Sequence, residues 1–219
     1  MSERMEIIEK PEFDAAFRDG LETLLRWRRD VRRFRGDPIS PDVLDDLLSL
    51  AALAPSVGNS QPWRFVKVND TDRRAAIRAN FERANADALN DYEGEKAKLY
   101  ATLKLNGFDQ APVHLAVFCD AETETGHGLG SKTMPETLAY SVVGAINTLW
   151  LAARAQGIGV GWVSILDAAA VNETLDVPAA WALIGYLCIG YPEEEHDDPE
   201  LQRAGWQDRL DVGKFITER

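Results

Sequence analysis

Residues 26–35 read RWRRDVRRFR and residues 54–63 read APSVGNSQPW, and the interpretation of the whole chain depends on these two stretches. Six of the ten residues 26–35 are arginine, whose guanidinium is a planar fork of donors that suits a phosphate or a carboxylate. The second stretch is a compact polar loop, which suits a set of donors around a flat heterocycle or, equally, a plain turn. A phosphate on a small cofactor and a solvated basic face that pairs with the acidic chain end both stay open at this point.

Asp30 lies in the centre of the arginine stretch. We expect its carboxylate to be ionised, because nearby guanidinium groups favour the charged form. A negative charge weakens a phosphate site, so Asp30 must have either a structural partner or a chemical task.

The chain as a whole is acidic, with 24 basic and 36 acidic residues in 219 and a net charge of −12. This balance disfavours nucleic acids and anionic membranes as partners. The first residues lack the apolar core of a signal peptide, and the longest uncharged stretch, residues 137–153, is short and polar for a membrane span, so we expect a cytoplasmic protein. Cys119 and Cys188 lie in apolar runs and are expected to be buried free thiols. Together with three histidines they cannot readily build a zinc site, so no metal is predicted.

Hydrophobic periodicity and turn signals predict alternating helices and strands along the chain. Helices are predicted over residues 12–28, 40–55, 72–105 with an interruption at Gly94, 135–156 and 167–175. Strands are predicted over residues 63–68, 113–119, 157–165 and 181–191. The alternation indicates an α/β or α+β fold around one sheet. No stretch is typical of a linker, so we expect one domain over residues 1–219.

The pairing of RRDVRRF at 28–34 with APSVGNSQPWRF at 54–65 resembles the nitroreductase-like flavoprotein superfamily. The usual motifs there are RRSxRxF and an SxxNxQPW-type loop. Two later features fit in the right order: an apolar helix that ends in a glycine-rich turn, LWLAARAQGIGVGWVSIL at 149–166, and IGYP at 189–192 followed by Arg209. The resemblance covers nearly the whole chain.

The resemblance implies an α+β (α/β) nitroreductase-like FMN-binding fold with a central, mostly antiparallel sheet flanked by helices. It implies a helical lid insertion at roughly residues 80–107 and a tail, roughly residues 192–219, that extends over the partner subunit. It further implies a homodimer with FMN at the subunit interface.

The resemblance also assigns positions to the flavin. Arginines of the first motif match those that hold the FMN phosphate and the polar edge of the flavin, and a late arginine matches a position near the phosphate. Loop residues match positions near the ring and the ribityl chain, and the end of the glycine-rich strand matches the segment that passes the ring. The implied FMN-binding residues are Arg28, Arg29, Asp30, Arg32, Ser56, Asn59, Val163, Ser164, Ile165 and Arg209. Arg33 and Arg35 have no counterpart and are expected to be surface residues paired with the acidic run 193–195.

Three features resemble the branch of the superfamily that converts reduced FMN and O2 into 5,6-dimethylbenzimidazole, the lower ligand of vitamin B12, and D-erythrose 4-phosphate. Asp30 replaces the usual Ser or His, Ser164 lies in GWVSILD, and the tail reads PELQRAGWQDRL. The flavin's dimethylated ring supplies all but one of the product's carbons, so the reaction must cut at the first ribityl carbon. Asp30 is therefore the candidate base or anchor at the ribityl chain, and Ser164 the candidate donor to the ring edge.

Two other functions remain open for a chain with these motifs. A conventional NAD(P)H-dependent FMN nitroreductase or oxidoreductase is one, although Asp30 is unusual there. A non-catalytic flavin-binding protein is the other, distinguished by whether reduced FMN and air yield a benzimidazole. No GxGxxG motif follows a strand, so we expect a separate flavin reductase to supply reduced FMN.

Overall fold

The computed structural model describes residues 10–89, 92–95, 98–99 and 107–219. Within these ranges the strands form a sheet in the order β1–β2–β4–β3, and each neighbouring pair is antiparallel. The strands are β1 (Trp63–Lys67), β2 (Val113–Asp120), β3 (Gly159–Val163) and β4 (Trp181–Gly190). A mostly antiparallel central sheet was expected from the sequence, and this expectation is confirmed.

Four of the predicted helices are found to within about four residues, the helix predicted from residue 72 is described as far as Leu89, and two short helices at 107–110 and 200–203 were not predicted. They are α1 (Ala15–Trp27), α2 (Pro41–Ala51), α3 (Thr71–Leu89), α4 (Gly107–Gln110), α5 (Thr137–Ala155), α6 (Ala168–Leu175) and α7 (Glu200–Arg203). Short 3-10 turns cover Val57–Asn59, Thr125–Gly128 and Val212–Phe215. The predicted helix over 72–105 corresponds to α3 up to Leu89. Most of the remainder lies outside the described residues, and the lid predicted at 80–107 is described only over 80–89, 92–95, 98–99 and 107.

Helices cover both faces of the sheet because the strand side chains alternate in direction. Leu115 and Val117 of β2 pack into a core with α2 and α5, whereas Ala116 and Phe118 face a second core with α3, α4 and α6. The uncharged stretch 137–153 is the buried helix α5, as expected. No helix in the described ranges is long and apolar enough to cross a membrane.

The two cysteines are free and buried, as expected. Burial raises the pKa of the Cys188 thiol to about 12, so the protonated thiol is its resting form.

The arginine stretch lies along the outer edge of β3. Asp30 forms a parallel bridge with Val160, and the Val31 N–H donates to the Val160 carbonyl at 3.1 Å. A Cβ on Gly161 would overlap the Val31 carbonyl oxygen, and one on Gly159 would lie 2.6 Å from a Val31 methyl. The glycines of GIGVGW thus let the backbone of the arginine stretch approach the strand.

Candidate functional site

Arg28 and Arg29 are held by a tryptophan of α5. The Arg28 guanidinium lies 4.7 Å from the ring centroid of Trp150, within cation–π range. The Trp150 indole N–H donates to the Arg29 carbonyl at 3.2 Å, and an Arg29 guanidinium N–H donates to the Asp197 carbonyl at 2.6 Å. The Trp150 side chain therefore orients both the backbone at Arg29 and the guanidinium of Arg28. Sequence reasoning missed Trp150, which looked like one more apolar residue of a buried helix.

Arg28, Arg29 and Arg209 form a concentration of positive charge. Burial lowers the pKa of Arg29, and repulsion from Arg209 and then Arg28 lowers it further. Burial likewise lowers the pKa of Arg28, against the opposing attraction of Asp30. The Arg29 Nε is buried and has no hydrogen-bond partner among the described residues. An anion placed here would relieve the repulsion and accept from the unpaired donor, so the donor set fits a phosphate.

A cavity of about 520 Å³ opens beside this charge. Arg26, Arg29 and Arg209 line it together with the acidic residues Asp197 and Asp198. The structure thus brings Arg209, from the chain end, to the arginine motif at the end of α1.

Asp30 is anchored on the backbone of β3. Its Oδ1 accepts from the Trp162 N–H at 3.0 Å, and its Oδ2 lies 3.4 Å from the Arg32 Nε. Burial raises the pKa of the Asp30 carboxyl, opposed by the Trp162 hydrogen bond and by Arg32, while Glu200 raises it further. Desolvation therefore outweighs the attraction of the neighbouring Arg32 in setting the pKa of this carboxyl. That the Asp30 carboxylate is ionised stays a prediction.

Arg32 points into an acidic cluster that sequence reasoning did not anticipate. Its Nε lies 3.9 Å from a Glu200 carboxylate oxygen, in addition to Asp30. Arg33 pairs with Glu200 at 3.5 Å and with Glu194 at 3.9 Å. The expected pairing of Arg33 with the acidic run is confirmed. Arg35 forms an ion pair with Asp37, two residues further along the chain, at 3.2 Å, and it also attracts Glu195 of the acidic run.

The segment Val163–Ile165 leaves the sheet just beyond the Asp30 anchor. Val163 is buried as the last residue of β3, Ser164 is exposed and Ile165 is partly buried. Since the Trp162 N–H binds Asp30, the two candidate catalytic residues, Asp30 and Ser164, are linked through two residues of β3.

The loop that carries Ser56 and Asn59 is tightly wound. The Ser56 Oγ accepts from the Gln61 N–H at 3.1 Å, and Gly58, Asn59 and Gln61 all have positive φ values, between 46° and 56°. Non-glycine residues in this conformation are uncommon and often mark functional sites.

This loop and the arginine motif pack on opposite sides of α5. The Val57 N–H donates to the Ser141 Oγ at 3.1 Å, whereas Trp150 holds the arginines. The nine residues from 141 to 150 correspond to about two and a half helical turns. A single subunit therefore groups Arg28, Arg29, Asp30, Arg32, Ser164 and Arg209 near one edge, and leaves Ser56 and Asn59 on the far side.

The model of the Nitroreductase family matches residues 25–191 of this chain. The 5,6-dimethylbenzimidazole synthase of Rhodospirillum rubrum is 61% identical over 199 residues, which is 91% of this chain and 94% of that protein. The 5,6-dimethylbenzimidazole synthase of Rhodobacter capsulatus is 52% identical over 198 residues, 90% of this chain and 96% of that protein.

A solved structure with a similar fold is that of oxidised iodotyrosine deiodinase bound to FMN and 3-iodo-L-tyrosine. It superposes with a TM-score of 0.69 at 27% identity, over 80% of this chain and 91% of that one. A nitroreductase-like protein from Streptococcus mutans superposes with a TM-score of 0.68 at 19% identity, over 94% of this chain and 100% of that one.

Proposed function

This chain belongs to the nitroreductase family and, within it, groups with the 5,6-dimethylbenzimidazole synthases, and from that we propose that it fragments reduced FMN with O2 to give 5,6-dimethylbenzimidazole and D-erythrose 4-phosphate. The observation that carries the proposal is Asp30, a carboxylate anchored on β3 beside a phosphate-compatible arginine cluster.

The arginine cluster would hold the phosphate end of FMN. Arg28, Arg29 and Arg209 already repel one another, so binding an anion removes an unfavourable interaction as well as forming hydrogen bonds. Arg32 is neutralised by Asp30 and Glu200, and we infer that it orients Asp30 and contributes less to the phosphate. When bound, reduced FMN supplies the electrons for O2 and the carbons of the product.

Asp30 would act on the ribityl chain. Its Oδ1 is fixed by the Trp162 N–H, and its Oδ2, which lies 3.4 Å from the Arg32 Nε, would accept a proton or orient a hydroxyl. A carboxyl pKa raised by burial brings a general base closer to its working pH. Ser164, exposed at the end of β3, would donate a hydrogen bond to the ring edge, and the backbone of Val163 and Ile165 would line the ring.

A second copy of the chain would complete the site. Ser56 and Asn59 pack on the far side of α5 from the arginines, so their proposed contacts with the flavin need a loop from the partner. The helix α1 buries no residue in the described chain, although it carries Phe17, Leu21 and Leu25. A 13-residue amphipathic helix is marginal unless its apolar face is covered.

Large apolar side chains are also exposed on other elements. Leu53 is 77% exposed and Tyr140 of α5 is 61% exposed, and Phe215 and Ile216 project from the chain end. A second subunit would cover such side chains, since large exposed apolar surface is typical of protein–protein interfaces. We infer a homodimer with FMN between the subunits and the segment 192–219 lying over the partner.

The experiment is a single turnover. Protein is loaded with reduced FMN without oxygen and then mixed with O2, and the products are identified by mass. 5,6-Dimethylbenzimidazole and a four-carbon sugar phosphate in equal amounts are expected. Quantitative return of oxidised FMN would contradict the proposal. A further test with NAD(P)H and a nitroaromatic then decides between a conventional reductase and a flavin-binding protein. Because the chain needs reduced FMN from outside, NADH alone should give no product until a flavin reductase is added.

A further inference from the structure

We propose that Asn80 is a positioning residue that fixes the connection 164–166 between β3 and α6, and so sets where Ser164 meets the flavin. The proposal rests on the proposed function, since it concerns the same segment. Asn80 lies on α3, outside every motif identified in the sequence, and its side chain is buried, with 3% exposed.

Asn80 forms a two-point hydrogen bond with the backbone of Asp167. Its Nδ2–H donates to the Asp167 carbonyl at 2.9 Å, and its Oδ1 accepts from the Asp167 N–H at 2.8 Å. The side-chain amide therefore pairs with the main chain as a neighbouring strand would. With its Nδ2 and its Oδ1 each in a hydrogen bond, the buried amide avoids the free-energy cost of an unpaired polar group.

The same Asp167 begins α6. Its Oδ1 accepts from the N–H groups of Ala169 and Ala170 at 3.0 and 3.3 Å, which makes it the N-cap of the helix. Its side chain and both backbone groups are thus hydrogen-bonded, and Asp167 has one orientation.

The connection 164–166 is consequently held at both ends. On one side Val163 pairs with Tyr186 in the sheet, and the preceding Trp162 N–H binds Asp30. On the other side Asp167 is held by Asn80. Three residues between two fixed points have little freedom. Since a misplacement of about 1 Å can cost roughly 10²-fold in rate, the Asn80 pairing would control how well Ser164 is placed.

Asn172 offers a matched control. It is on α6 and its Nδ2–H donates to the Trp181 carbonyl at 2.7 Å, so Asn172→Ala also deletes an asparagine-to-backbone bond in the same layer. That bond joins the middle of α6 to the first residue of β4 and does not touch the connection 164–166. The test compares Asn80→Ala, Asn80→Asp and Asn172→Ala with the wild type. Asn80→Asp keeps the size but places a carboxylate oxygen against the Asp167 carbonyl.

Four quantities are measured: melting temperature, FMN affinity, the visible spectrum of bound oxidised FMN, and benzimidazole formed per reduced FMN consumed. We expect all three variants to have a lower melting temperature than wild type. Their dissociation constants for FMN should stay within about threefold of the wild-type value, because the arginine cluster is untouched. Only the Asn80 variants should shift the flavin spectrum and lower the benzimidazole yield, by about tenfold or more.

Wild-type yield and spectrum in a folded Asn80 variant would overturn the proposal, and so would an equal loss in Asn172→Ala. Failure of both Asn80 variants to fold, or loss of FMN binding in them, would assign Asn80 to stability or to binding instead. If the wild type itself forms no benzimidazole, the proposed function fails, and the spectrum still decides whether Asn80 positions the segment at the flavin.

Discussion

Replacement of Asp30 by asparagine is the sharpest test of the chemistry. Asparagine has the same shape, and its Oδ1 can still accept from the Trp162 N–H, which now lies 3.0 Å from the carboxylate. What changes is the negative charge and the ability to accept a proton at the second oxygen. That oxygen lies 3.4 Å from the Arg32 Nε.

The cost in stability should be small. The carboxylate is 37% exposed and its ion pair with Arg32 is long, so solvent screening limits the pair to about 0.5 kcal/mol. Removal of a charge that burial disfavours offsets part of that loss. We therefore expect the free energy of unfolding to change by less than about 1 kcal/mol.

The pH dependence of that change has a defined sign. Burial raises the folded-state pKa of Asp30 above its unfolded value, so the folded state retains a proton that the unfolded chain has released. The stability contributed by this group is full below the unfolded pKa and is lost as pH rises through the folded pKa. Asp30→Asn should therefore gain stability relative to wild type as pH rises through that window, which denaturation at a series of pH values measures.

Turnover should fall far more than stability. Removal of a positioned general base lowers benzimidazole formation by about 10² or more, while FMN still binds and is recovered oxidised, with peroxide. Product mass analysis and peroxide assay after a single turnover measure both. Near-normal benzimidazole yield from folded Asp30→Asn protein would refute the reasoning.

Four further outcomes are expected. Arg209→Ala should weaken FMN binding by one to two decades, because a charged hydrogen bond is worth about 1.5–3 kcal/mol, and should leave riboflavin binding unchanged. Arg35→Ala is the control. Equal losses of affinity for both flavins would contradict the phosphate assignment. Light scattering at micromolar concentration should give a dimer mass, since obligate interfaces bury about 2,000 Å² or more, and a monomer mass would contradict it. Burial lowers the pKa of His114 to about 4 from an ordinary 6.5. The free energy of unfolding should therefore fall by up to ~3 kcal/mol as the pH drops from 6.5 through about 4, and His114→Gln should flatten that slope in chemical denaturation. Gly161→Ala should destabilise by about 1–3 kcal/mol through overlap with the arginine stretch, whereas Gly36→Ala, with nothing within 4 Å of the added carbon, should change urea unfolding little.

The sequence by itself was enough for the four strands, for the longer helices and for the family, but not for the short helices α4 and α7. The strands and helices follow from periodicity and capping, as in the Ser40–Pro41 start of α2 and the Asp167 cap of α6. The arginine stretch, the 54–63 loop and the glycine-rich turn also carried the resemblance, because these motifs depend on residue types at short spacing.

Only the tertiary structure decided how the candidate site is held together. Trp150 reaches the arginine stretch across 121 residues, Asp30 reaches Trp162 across 132, and Asn80 reaches Asp167 across 87. Periodicity and turn chemistry describe neighbours within a few residues, whereas these contacts arise when helices pack on the sheet and have no local pattern. The same reason explains the Asp30 carboxyl: its neighbours in sequence are cations, but its pKa follows from burial against β3, which only the folded chain creates.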